Sequence, residues 1–279
     1  AIAAAQAQEP QTFLLTNSTG MEATVSNYGA RLMSLTAHNW NGRLEPIVKG
    51  FDNPRDYHQL PILGATLADY NSVATDPLAD NTWEVLSADR QTVAMRCTIP
   101  CGEPSRKGTM TVSVTYTLTD QNALDIDYRA VTTQPTPIRL SNGIVFNLSG
   151  DGQRTVLRQH LWLDASRYHL PDGHGHPSGI LLPVRNSPLN FLHPRELGER
   201  IQLLTDGYCH DFQLRHTDSM QKPSAILFDP QSGRAMTLYT SEPSLRINTY
   251  GRHSRGQPDL DHGEQGPHQA VAQPDGTAV

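Results

Sequence analysis

Apolar and polar residues alternate with a period of two along most of this chain. In residues 111–118, Val112, Val114, Tyr116 and Leu118 fall on one side and Ser113 and the threonines on the other. A turn at Asp120-Gln121-Asn122 and a second alternating run over 123–131 predict a β-hairpin with one buried and one wetted face. Shorter runs of the same kind recur at 13–15, 23–26, 92–99, 161–163, 225–228, 236–239 and 245–248. Asn41-Gly42, Ser149-Gly150-Asp151-Gly152, Pro171-Asp172-Gly173 and Asp229-Pro230 supply the turn chemistry between them. No stretch sustains apolar spacing of 3.6 for three helical turns, and 53–57 supports one short turn at most. Many short strands punctuated by Gly and Pro predict an all-β fold, a sandwich or a barrel.

No repeat or linker divides the chain. The expected organisation is a tail or signal-peptide remnant over 1–8 and one domain over 9–279, irregular from about 252. That last stretch is rich in Gly, Pro, His, Gln and Asp, and reads as either a long loop over a site or a mobile tail.

Composition narrows the classes. Of 279 residues, 37% are hydrophobic, enough for a core. The 22 Lys and Arg against 28 Asp and Glu give a net charge of -6 without a basic stripe, so no nucleic-acid partner is expected. No run of 18 apolar residues offers a membrane-spanning helix, and no membrane partner is expected. The small residues Ala1-Ile2-Ala3-Ala4-Ala5-Gln6-Ala7-Gln8 resemble the surroundings of a secretory cleavage site, and the expected location is periplasmic or secreted. Cys97 and Cys101 could close a small disulfide loop there or remain two thiols. His174 and His176 have a chelate-like spacing, as a group around His262 and His268 could, but no metal or cofactor is expected.

Several segments, in order, resemble the galactose mutarotase (aldose 1-epimerase) family. They include Asn27-Tyr28-Gly29-Ala30, Gly64-Ala65-Thr66, Leu140-Ser141-Asn142, Phe146-Asn147-Leu148-Ser149-Gly150, Gly207-Tyr208 with His210 and Phe212, and Tyr239-Thr240-Ser241-Glu242-Pro243. The resemblance implies a large antiparallel β-sandwich, the mutarotase supersandwich, with a sugar cleft on a concave face. It also implies ring opening of a sugar hemiacetal by a general acid and base on opposite sides of one C–O bond.

The family's catalytic positions are largely replaced. Its motif Asn-His-x-Tyr-Phe-Asn-Leu reads Asn142-Gly143-Ile144-Val145-Phe146-Asn147-Leu148, so the acid histidine has become Gly143. Its Asn-Arg pair falls on Ser72 and Val73, the segment of its second histidine is missing, and its sugar-binding Asp is Cys209. Its C-terminal Glu-Pro-Gln motif shrinks to Gly263-Glu264-Gln265, and neither the apolar strand before it nor a final strand after Pro274-Asp275 is expected. The candidate catalytic residues are Glu264 as base and His210. The candidate ligand-binding residues are Asp69, Tyr70, Asn142, Cys209, Asp211, Tyr250, Arg252, His253, Gln265 and His268.

Three readings follow. The first is a repurposed, cofactor-independent isomerase, cyclase or lyase acting on a small cyclic or polyol-like ligand, through a cleft wall that Ile144 and Val145 make more apolar. The second is an aldose 1-epimerase with an altered site. The third is a non-catalytic carbohydrate-binding module. The expected partner is a small molecule, a sugar or other cyclic metabolite, and the assembly a monomer or a dimer.

Overall fold

The computed structural model describes residues 9–68, 76–100, 108–136, 138–150, 152, 154–172, 177–205, 207–216 and 220–249, with the backbone alone for 177 and 270–278. Among these, strands dominate, the pairings described below are antiparallel, and the helical elements are short 3-10 turns such as Pro54–Gln59. The chain forms two compact units, one of residues 9–35 and 50–142 and the other of residues 36–49 and 143–277.

In the first unit the predicted hairpin is the strand pair Thr109–Leu118 and Leu124–Thr132, inside a meander that continues through Thr92–Pro100 to Glu84–Ala88. Met110, Val112, Val114, Tyr116 and Leu118 are fully buried, as period-two alternation requires. Leu124–Thr132 lies at the sheet edge, and its inward face is only half buried. The opening hairpin, Thr12–Thr16 with Glu22–Ser26, is tied to this meander by its turn. Asn17 Nδ2 donates to the Thr119 carbonyl (2.9 Å) and to Asn122 Oδ1 (2.8 Å).

Next to that hairpin, Arg31 is buried completely. Its guanidinium donates to the carbonyls of Tyr28 (2.6 Å), Leu63 (3.2 Å) and Ala79 (2.9 Å), and it lies against the rings of Tyr28 and Tyr57 at 4.7 and 4.4 Å. Burial lowers its pKa to about 10, which leaves it charged at neutral pH. The approach of Ala79 explains Gly29, where φ is +71° and a Cβ would come within 2.6 Å of that carbonyl oxygen.

The second unit contains two sheets. One orders the strands Pro177–Pro183, Ala165–Pro171, Cys209–Leu214, Ser244–Asn248 and Ala270–Ala278, the last also pairing Val145–Phe146. The other orders Arg195–Glu196, His160–Leu163, Ala225–Phe228 and Ala235–Leu238. Leu161, Leu163, Phe191, Tyr208, Phe212, Leu214, Leu245 and Ile247 are buried, with Phe191 and Tyr208 in an edge-on contact at 5.2 Å. Residues 36–49 are held to this unit by the buried Arg234, which donates to the carbonyls of Ala37 (3.1 Å) and Leu148 (3.0 Å) and to Glu45 (2.6 Å).

The expectation of no final strand is corrected by Ala270–Ala278, which pairs Ser244–Asn248 over five residue pairs from Ser244↔Asp275 to Asn248↔Val271. A strand edge offers unpaired N–H and C=O groups to any extended backbone, so this addition needs no apolar run in the added segment.

Candidate functional site

Two groups of described residues carry candidate positions, one in each unit. In the first, Asn142 ends the strand Ile138–Asn142, whose partner is Thr66–Ala68 in the register Asn142↔Thr66. Asn142 is 2% exposed. Its amide nitrogen donates to Tyr116 Oη and Tyr128 Oη, each at 2.9 Å. Tyr116 Oη in turn donates to the Ala30 carbonyl at 2.8 Å, so its single proton is committed and it can only accept from Asn142. That fixes the amide orientation. Asn142 Oδ1 is then a buried acceptor without a hydrogen-bond partner, held still from behind by two phenols, on the residue that precedes Gly143.

Thr66 Oγ1 donates to the same Ala30 carbonyl at 3.1 Å. Past the strand Thr66–Ala68, Asp76 accepts from the Ala68 and Leu78 backbone N–H groups at 2.6 and 2.8 Å. Burial raises its pKa to about 6 against the pull of these hydrogen bonds. Tyr116, Tyr128 and Asp76 are absent from the sequence-derived candidates. The tyrosines sit on the alternating inward face and read as core. Only the pairing Val114↔Tyr128 and Tyr116↔Ile126 makes them diagonal neighbours.

In the second unit, Cys209, His210 and Asp211 open the strand Cys209–Leu214 and pair with Asn248, Ile247 and Arg246. Asp211 is 4% exposed and bonds Arg246 Nη2 across the ladder at 3.2 Å, which gives it a structural partner. His210 Nδ1 accepts from the Cys209 backbone N–H at 3.1 Å, and Tyr168 meets its ring edge-on at 5.7 Å. Burial, reinforced by Arg246 and opposed by Asp211, lowers the His210 pKa to about 4. At neutral pH the ring is therefore uncharged, with its proton on Nε2. Such a ring is a hydrogen-bond donor to a ligand and a weak proton acceptor. A proton-donating role would need a charged imidazole, which these surroundings disfavour.

Ile144 and Val145 are buried in the packing of the second unit. Cys97 is a buried thiol in no disulfide, and burial pushes its pKa to about 11. Glu264, Asp69, Tyr70, Tyr250, Arg252, His253, Gln265 and His268 lie outside the described residues, as do Ser72, Val73, Cys101, His174, His176 and His262.

A model of the aldose 1-epimerase family matches residues 72–264, a span that ends on Glu264. The galactose mutarotase of Rattus norvegicus is 33% identical over 151 residues, 54% of this chain and 44% of that protein. This chain thus spans less than half the length of the mammalian mutarotases it matches. The aldose 1-epimerase of Escherichia coli (strain K12) is 24% identical over 266 residues, 84% of this chain and 76% of that protein. Among solved structures, the GalM/aldose epimerase homologue from C. elegans superposes with a TM-score of 0.79 at 21% identity, covering 95% of this chain and 89% of its own. Galactose 1-epimerase from Lactobacillus acidophilus gives 0.75 at 19%, covering 94% and 84%. The all-β architecture is thus the mutarotase-like β-sandwich.

Proposed function

From the premise that this chain belongs to the aldose 1-epimerase family, we propose that it is a diverged, cofactor-independent isomerase, cyclase or lyase that uses acid–base chemistry on a small cyclic or polyol-like ligand. The observation that carries this reading is the Asn142 amide oxygen, buried, immobilised and unpaired beside Gly143. A buried acceptor without a partner costs about 1–3 kcal/mol. A ligand hydroxyl bound there relieves that cost, so the arrangement favours a hydroxyl-bearing ring over an apolar guest.

In the second unit, the neutral His210 is a hydrogen-bond donor at Nε2. Glu264, assigned by resemblance, is the proposed base. With Gly143 in place of the family's acid, the ordinary anomer interconversion of galactose and glucose falls by about 10² to 10⁴. The uncharged His210 also favours a second reading, a sugar-binding module without turnover.

Polarimetry of freshly dissolved α-D-galactose and α-D-glucose, with ligand-observed NMR over a panel of sugars and polyols, separates these readings. We expect mutarotation near the buffer rate, and binding of at least one panel member that Asn142→Leu abolishes. Mutarotation at full enzymatic rates restores the epimerase reading. Binding without conversion of any bound compound leaves the binding module. If no panel member binds, the reading of Asn142 is wrong.

A further inference from the structure

A second polar cluster lies at the other end of the strand that carries His210. Asp164, 4% exposed, follows His160–Leu163 and stands opposite Ser224, whose carbonyl accepts the Asp164 backbone N–H at 2.9 Å. Arg215 and His216 follow Cys209–Leu214, and the Arg215 backbone N–H donates to the Asp164 carbonyl at 3.0 Å. The Asp164 carboxylate is shared. Oδ1 takes the Arg215 guanidinium and Oδ2 takes His216 Nδ1. An ionised carboxylate only accepts, so Nδ1 of His216 carries a proton, and in the neutral ring Nε2 presents a lone pair. That Nε2 is buried and has no partner. Ser224 Oγ, on a residue 1% exposed directly across from Asp164, is also buried and unpartnered.

Both residues meet Asp164, His216 through its ring and Ser224 through its backbone carbonyl, and each unpaired atom is costly unless something fills it. One is an oriented acceptor. The other is a hydroxyl that can donate or accept. A vicinal diol meets both, with one hydroxyl donating to Nε2 and its neighbour exchanging a hydrogen bond with Oγ. We propose that Asp164, His216 and Ser224 form a second polyol-binding subsite, past the end of the strand that carries His210. Arg215 holds the carboxylate from the solvent side, with half of its side chain exposed. The subsite does not depend on the function assigned to Asn142.

The test uses the full chain with 15N-labelled histidine and xylitol as the probe. The expected result is a saturable change at His216 Nε2 with Nδ1 unmoved, weakened about tenfold in Ser224→Ala through the loss of one hydrogen bond and unaffected by Asn142→Leu. An Nε2 signal that xylitol does not move overturns the proposal. So does a response that Ser224→Ala leaves intact. A response that disappears in Asn142→Leu also overturns it, by assigning the ligand to the other site. Where Ser224→Ala does not fold, Ser224→Cys, similar in size and weaker in hydrogen bonding, reads the same loss.

Discussion

His210 and His216 sit on one run of chain and have opposite hydrogen-bonding characters. His210 Nδ1 accepts a backbone N–H, which leaves it a donor at Nε2. His216 Nδ1 donates to a carboxylate, which leaves it an acceptor at Nε2. The residue type is the same, and His216 follows the strand that carries His210 by two residues. The difference is the group that meets the first nitrogen, a peptide in one case and Asp164 in the other. An imidazole is therefore a donor or an acceptor by assignment from its neighbour, and its sequence position alone does not say which.

The most disruptive way to break this contrast is Asp164→Ala. It strips both Arg215 and His216 of their shared buried partner, and the expected loss is about 3–4 kcal/mol by urea unfolding. A variant within 1 kcal/mol of the wild type would mean that the carboxylate orients nothing.

Next in size is the pH dependence of His210. Folding lowers its pKa from the ordinary 6.5 to about 4, so the unfolded chain holds more protons between these values. Its contribution is complete above pH 6.5 and is lost as pH falls toward 4, by up to about 3 kcal/mol. His210→Gln should flatten that rise in unfolding free energy. A slope unchanged by the substitution would place the titration elsewhere.

Asp76 should give a smaller slope of opposite sign. Its pKa rises from 3.8 to about 6 on folding, so the folded chain holds more protons between these values. Stability from this group is fully present below pH 3.8 and falls as pH rises through about 6. Asp76→Asn should therefore steepen the rise that His210 produces, measured over the same pH series.

The smallest expected effect concerns Asn142, which extends the contrast to an amide whose donors are taken and whose acceptor is open. Tyr128→Phe removes one of its two phenol partners and should cost about 1 kcal/mol. It should also loosen the ligand preference proposed for Asn142, read as weaker binding of whichever panel sugar the wild type takes. A loss of stability with unchanged binding would show that Tyr116 alone positions the amide.

Much of the fold was legible because it rests on local alternation. Thr109–Leu118 reads as a strand from its own residues, and its buried face follows from which of them are apolar. Ala270–Ala278 escaped that reading because its place is set by backbone pairing to Ser244–Asn248. The site was legible in a different way. Gly143 and Cys209 stood out only against the resembled family motif. The grip of Tyr116 and Tyr128 on Asn142 depends on strand register, which alternation leaves open. Asp164 and Arg215 are 51 residues apart, and nothing local in either segment predicts that they meet.

The buried Arg31 bears on how this protein responds to ionic strength. Its guanidinium is held by neutral carbonyls and two aromatic rings, away from water. Dissolved ions weaken charge pairs only where they can gather around them, with a screening distance of about 8 Å at physiological concentration. They cannot gather here. The anchor that ties residues 28–31 to Leu63 and Ala79 should thus hold equally well in dilute buffer and in molar sodium chloride, while exposed pairs such as Arg96 with Glu84 fade.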